Sequence, residues 1–307
     1  MYESDIITVA VLNFKVIAGK KEENLSRIID FSKSAAKRGA DLILFPEMCI
    51  MGYDYYVDEE VTRKEKEDSA ETFDGLTCTR IAEAAVNNEI YIIAGMAEKD
   101  IETGSLYNSA YVAGPGGAIG AYRKIHPYDY ENTWCEKGDK PFVFETKWGP
   151  VSVGICYDTY QFPELMRYYA HKGSRLYLNP TALPEAVTYE GSRAGFINYY
   201  CRAIEYGASC NTIFIANSNL AGWDKFNYFG GGSCIVGPGV NPSSDVGVKY
   251  YAGDTGSTQA ELFLATVDLS LATRDIFKDN FNGTPDYRPD VYKELFDNAN
   301  PYLSPKL

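Results

Sequence analysis

Short apolar runs recur along the whole chain and alternate with stretches of helical spacing. In the first half IITVAVLNF (6–14), DLILF (41–45) and EIYIIAGMAE (89–98) read as buried strands. SLYNSAYVAG (105–114) and GAIGAYRK (117–124) read as two strands joined by the turn GPGG. Residues 20–39 carry Leu25, Ile28, Ile29, Ala35 and Ala36 at helical spacing, with Gly39 placed to end the helix, and 76–88 read as a second helix. The charged segment 54–74 reads as an exposed loop with a short helix. The second half repeats the pattern: strands at 141–146, 149–158, 174–179 and 212–218, helices at 163–172 and 189–209, then strands at 231–238, 248–253 and 261–269. Strands layered under helices in two similar halves, with no linker between them, predict an α/β architecture. Residues 275–307 mix Pro, Asn, Asp and Tyr, and read as an irregular extension that wraps a neighbour or a dimer partner.

The 307 residues are enough to bury a sizeable core. With 29 basic against 42 acidic residues the net charge is −13, which argues against a nucleic-acid backbone or an anionic membrane as partner and favours a neutral or cationic small molecule. Seven cysteines, an odd number without a CxxC pair, resemble neither a disulfide framework nor a zinc site. The acidic start MYESD and the lack of a membrane-length apolar run lead to the expectation of a cytoplasmic protein.

Three strands end on residues able to do chemistry. LILFPE delivers Glu47, AYRK delivers Lys124, and VSVGIC delivers Cys156. Each has a plain reading: Glu47 as a solvent-facing turn residue, Lys124 as a surface lysine, Cys156 as a small core hydrophobe, the role assigned to Cys78, Cys201, Cys210 and Cys234. Yet ligands gather outside the carboxyl ends of strands in α/β sheets, and a thiol near helix-end amides there ionises more easily than a core thiol. A carboxylate can take the thiol proton, an ammonium can support an oxyanion together with the Tyr157 N–H, and the carboxylate can return the proton to a leaving amine. A Cys156–His126 dyad is a competing arrangement, while His171 in AHKG complements a helix end.

FPEMCIMGY, YRKIHPY and VGICYDTYQFPELMR together resemble the nitrilase superfamily of carbon–nitrogen hydrolases, and the similarity continues through NPTAL, CRAIEYGASCNTIFIANSN and GGSCIVGPGV. The resemblance implies a four-layer α-β-β-α sandwich over residues 1–307, paired into a homodimer or higher homo-oligomer. It implies no metal or organic cofactor. It implies Glu47 as general base, Lys124 as oxyanion support, Cys156 as nucleophile and Glu131 as an accompanying glutamate, with Glu136 as the competitor for that last role. Glu205 resembles the family's structural glutamate, a buried anchor. The implied reaction runs through a thioester.

Cys156-Tyr157-Asp158 is similar to the amidase and carbamoylase branches, so a small amide is the expected substrate, a ureido compound the alternative and a nitrile less suited. Thr159 and Tyr160 stand where D-carbamoylases place arginines, and the loop from Cys156 to Phe162 is one residue longer than common. Tyr53, Trp134, Tyr157 and Thr181 are the expected substrate-binding residues. Two rivals are an isochorismatase-like hydrolase, against which the GPGG hairpin speaks, and a silent member acting as a scaffold.

Overall fold

The computed structural model describes residues 2–185, 193–241, 244–253, 259–278 and 283–298. Two six-stranded sheets carry the fold. In the first, β1 (Ile6–Asn13), β2 (Leu42–Leu44) and β3 (Tyr91–Lys99) run parallel at the centre. The hairpin β4 (Leu106–Gly114) and β5 (Gly117–Arg123) extends one edge. In the second, β7 (Gly149–Val153), β8 (Leu176–Thr181) and β9 (Phe214–Asn219) are parallel, and β6 (Phe142–Thr146) pairs antiparallel with β7. Beyond β9 lie β12 (Cys234–Asn241) and β13 (Ser244–Gly253), preceded in sequence by the small ribbon β10 (Ala221–Trp223) and β11 (Tyr228–Gly230). The last strand, β14 (Glu261–Asp268), returns to the first sheet beside β1.

Helices α1 (Lys21–Lys37) and α4 (Leu76–Asn88) cover the first sheet; α6 (Pro163–His171) and α7 (Arg193–Asn211) belong to the second. The order helix, sheet, sheet, helix is the four-layer sandwich expected. It follows from strands such as β2, β8 and β9, which are buried throughout and so need cover on both faces. The sheets are stitched where β1 meets β9: the Ser218 hydroxyl donates to the Leu12 carbonyl at 2.8 Å, as does that of Ser233. Phe14 packs edge-on against Phe45 at 5.9 Å in the core beside them.

Two expectations change. The strand read over 149–158 stops at Val153, because the chain turns out of the sheet before Cys156. The segment 54–74 holds two helices, α2 (Tyr53–Val57) and α3 (Arg63–Ser69), the second started by a capping box between Thr62 and Glu65. Residues 189–192 of the long helix read in the sequence, and the Cys201 side chain, lie outside the described residues. The chain divides into compact units at Met1–Thr273 and Arg274–Leu307. The second unit, read as irregular, contains α8 (Pro289–Asn298), where Tyr292 packs on Tyr287. Among the described residues no helix is long and apolar enough to cross a membrane.

Gly95 in β3 marks where this architecture serves a site. A methyl group there would sit 2.5 Å from the Glu47 Cα and the Pro46 carbonyl. The chain leaving β2 therefore lies flat against β3 only because Gly95 has no side chain. Gly95→Ala is expected to cost about 1–3 kcal/mol of stability in urea unfolding. Gly116→Ala, whose added carbon meets nothing within 4 Å, is the control and is expected to stay within about 0.5 kcal/mol of the parent.

Candidate active site

Three strand ends from two sheets converge. Glu47 follows β2 in a tight turn in which Met48 adopts φ 55°, and its side chain is fully buried. Lys124 follows β5 and is equally buried, its N–H donating to the Asn108 carbonyl at 2.8 Å. Glu131 sits on the 3-10 turn Asp129–Thr133, at 1% exposure. The plain readings of Glu47 and Lys124 as surface residues thus do not hold. Burying such charges is costly unless they are paired, and they are. Lys124 Nζ donates to Glu47 Oε1 and to both Glu131 oxygens, each at 2.8 Å.

The carboxylates collect further donors. Glu47 Oε1 accepts from Asn108 Nδ2 at 2.7 Å, and Oε2 from the Ala182 N–H at 2.8 Å. Glu131 Oε1 accepts from the Tyr53 hydroxyl at 2.9 Å, and Oε2 from Asn108 Nδ2 at 3.2 Å. Burial acts to lower the Lys124 pKa, but Glu131 and Glu47 overcome it and hold the ammonium well above the usual lysine range. Burial raises Glu131, although Lys124 opposes it, and raises the Tyr53 phenol beside the two carboxylates.

Cys156 stands at the start of the short helix α5 (Tyr157–Gln161) with φ 48° and ψ −101°, outside the ordinary region for a residue with a side chain. Such a conformation persists only where the surroundings fix it. The Cys156 N–H donates to the Pro180 carbonyl at 3.0 Å and to Asn179 Oδ1 at 2.9 Å. Asp158 binds the turn from the other side: Oδ2 accepts from the Ile155 N–H at 3.0 Å and from the Tyr122 hydroxyl at 2.8 Å. Gly154 gives clearance, since a Cβ there would fall 2.0 Å from the Tyr177 hydroxyl.

The thiol does not ionise easily, contrary to the expectation from its helix-end position. Burial pushes its pKa well up and the Glu47 charge adds to that, while Lys124 and a hydrogen bond with Thr181 only partly offset them. A resting thiol of this kind needs a base beside it. His126 is not placed for that work: its Nδ1 lies 2.7 Å from Asp158 Oδ1, and its ring stacks on Phe162 at 3.5 Å.

A cavity of about 810 Å³ opens onto Cys156 and Glu131. Tyr53, Tyr128, Tyr157, Tyr160 and Phe226 give it aromatic walls, with Leu183 and Pro184 beside them. Of the expected binding residues, Tyr53 and Tyr157 line this cavity; Thr181, buried at the end of β8, accepts from the Tyr160 hydroxyl at 3.3 Å. Trp134 does not line it. Its ring packs on Tyr56 at 4.6 Å in the core, which the polar loop sequence around it did not distinguish from a wall. Glu136 is exposed, and Glu205 on α7 is half-buried rather than the buried anchor expected. Cys78 and Cys234 are buried, as read, while Cys210 is half-buried. Among the described residues no group of three or more His, Cys, Asp or Glu could hold a metal ion.

Sequence reading missed Asn108, the Ala182 N–H and the loop after β10. A polar residue in the otherwise buried strand LYNSAYVAG was the available signal for Asn108. The β10 loop brings Phe226 and Asn227 to the cavity because Asp54, next to Tyr53, accepts from the N–H groups of Lys225, Phe226 and Asn227 at 2.9, 2.6 and 2.7 Å. Asp224 returns the contact, accepting from the Asp54 N–H at 2.8 Å.

The chain matches the family profile described as carbon-nitrogen hydrolase over residues 8–273, and it belongs to that family of hydrolases. It is 33% identical over 266 residues to a nitrilase of Pyrococcus abyssi, covering 84% of this chain and 91% of that protein. It is 30% identical over 266 residues to the omega-amidase NIT2 of Mus musculus, covering 82% and 86%. The amidase of Nesterenkonia sp. has the same fold, with a TM-score of 0.72 at 21% identity over 94% of this chain and 96% of that one. A mutant of the AN1 amidase shows covalent addition of the acetamide moiety of fluoroacetamide at its active-site cysteine.

Asp224 supplies a test of the cavity wall. Burial raises its pKa to about 7, Asp54 adding to the shift against the backbone donors. Its folded pKa lies above the ordinary value of 3.8, so the protonated form is the one folding favours. The contribution of Asp224 to stability is therefore expected to decline as pH rises from 3.8 through about 7 and to level off above. Asp224→Asn, neutral at every pH, should show a Tm advantage over the parent that grows between about pH 5 and pH 8. A difference independent of pH would remove Asp224 as the cause.

Proposed function

We propose that this protein hydrolyses the C–N bond of a small amide through a Cys156 thioester, releasing ammonia or an amine. The observation that carries the reading is the buried Glu47–Lys124–Glu131 cluster beside Cys156, whose backbone is strained and which lines the cavity. Glu47 Oε1 already accepts two hydrogen bonds, whereas Oε2 accepts one, from Ala182. Oε2 thus keeps a lone pair for the thiol proton. As that proton moves to Oε2, Sγ attacks the carbonyl carbon and the C=O π pair moves to oxygen. The Tyr157 N–H, at the first position of α5, has no acceptor within the helix and can donate to that oxyanion. All three Lys124 contacts go to carboxylate oxygens, so the ammonium joins by turning one donor away from Glu131, which Tyr53 and Asn108 still hold. Glu47 returns its proton to the departing nitrogen as the C–N bond breaks; water then gives a proton to Glu47 while attacking the thioester carbon, and the C–S bond breaks with that proton returned to Sγ, giving the carboxylic acid and the free thiol.

The resemblance of Cys156-Tyr157-Asp158 to the amidase and carbamoylase branches favours an amide over a nitrile. The cavity wall carries Glu59 and Asp129 and, among its described residues, no lysine or arginine, which favours a substrate whose far end is neutral or cationic.

The test is ammonia release from small amides, ureido compounds and nitriles, with intact-mass detection of an acyl adduct. Amides are expected to react, with an adduct that Cys156→Ala abolishes without a large change in Tm. Glu47→Gln is expected to lower turnover roughly 10²–10⁴-fold, because an amide side chain cannot take the proton. His126→Ala should cost less than about tenfold, its ring being engaged with Asp158 and Phe162. Near-native turnover by Glu47→Gln would remove the general-base assignment.

A further inference from the structure

We infer that Asn108 is the positioning residue of this site, setting where both glutamates stand relative to the lysine and the thiol. The inference rests on the reading of Glu47 as base. Asn108 lies on β4 opposite Ala97 of β3, inside the sheet and 1% exposed. Its single amide nitrogen donates one hydrogen to Glu47 Oε1 at 2.7 Å and the other to Glu131 Oε2 at 3.2 Å. Its main-chain carbonyl accepts the Lys124 N–H at 2.8 Å. One residue therefore touches each member of the charged cluster, from a strand that none of them occupies.

The side chain's own polar balance supports a role beyond packing. Asn108 Oδ1 is buried without a hydrogen-bond partner. An asparagine serving only the core would be expected to satisfy both ends. Here the oxygen is left unpaired and the nitrogen is kept between two carboxylates, the one orientation in which the amide does not oppose their charge. With Oε1 of Glu47 occupied by Asn108 and Lys124, the acceptor left for the thiol proton is on Oε2. Glu131, held by Asn108 and Tyr53, stays in place when Lys124 turns a donor toward the oxyanion. Asn108 does not line the cavity, so it acts through the glutamates and not on the substrate.

The consequence is a change in how Glu47 is held for the thiol proton. The groups facing Glu47 are Lys124, Glu131, Tyr53, Cys156 and the Ala182 N–H. Taking away the Asn108 donor removes from each glutamate a hydrogen bond that favours a carboxylate over its neutral form, with Lys124 left as the charge between them.

The experiment follows alkylation of Cys156 by chloroacetamide from about pH 4 to pH 9 in the full-length protein, read by intact mass with Cys156→Ala subtracted. Asn108→Leu keeps the branching at Cγ, though it is larger, and removes both donors; Asn108→Asp keeps the shape and adds a carboxylate. In the parent the rate is expected to fall on the acid side. In both variants that fall should move up by about one pH unit or more, with the larger move for Asn108→Asp. On any amide the parent turns over, kcat should drop at least about tenfold with KM within about threefold, the pattern of a group that acts on the reacting atoms through another. An unmoved acid limb overturns the proposal, whether or not Tm falls. So does failure of both variants to fold, which would make Asn108 a purely structural residue. Alkylation needs no natural substrate, so the two readings can fail separately. A parent that alkylates with an acid limb but cleaves no amide sinks the amidase reading alone.

Discussion

An ammonium at zero exposure between two carboxylates is the interaction on which the rest of this structure depends. Removing three charges from water is costly, and their attraction offsets that cost only with good geometry and further hydrogen bonds. The cluster carries two acids for one base, so the pairing alone leaves negative charge over. Tyr53, Asn108 and the Ala182 N–H supply neutral donors to that excess, and they come from α2, β4 and the end of β8. The site is thus satisfied only when both sheets are in place. Burial raises the thiol pKa, and the same excess adds to it, Glu47 raising it more than Lys124 lowers it.

The sandwich supplies the required geometry because its central strands are parallel. Parallel strands end at the same edge, and β2 and β7 release Glu47 and Cys156 there from different sheets. The antiparallel hairpin β4–β5 adds Lys124 at that edge and carries Asn108 along the strand beside it. Close approach at Gly95 and Gly154 lets both turns lie against neighbouring residues. The cavity wall is then completed by a loop hung on Asp54, one residue from Tyr53, so wall and site share an anchor.

Much of this was legible in the residues. The apolar runs located the principal strands, because burial on both faces demands them, and the three motifs placed Glu47, Lys124 and Cys156 at strand ends. Glu131 came from the resemblance, and it stands with Lys124 in the buried cluster. Trp134 was misjudged as a wall because proximity in sequence to a motif does not say which way a ring faces. The ribbon β10–β11 escaped because its three-residue strands carry no periodic signal. Asn108 escaped because its partners lie 61 and 23 residues away.

What the sequence by itself determined is the set of local decisions: which runs are apolar enough to be buried, where turns break them, and which reactive side chain follows each. These depend on neighbours along the chain. Only the tertiary structure decided the protonation of the thiol, the orientation of Asn108 and the free lone pair on Glu47, because each depends on burial and on donors contributed by other strands. A carboxylate's chemistry is fixed by what surrounds it in space, and that arrangement exists only once the two sheets have packed.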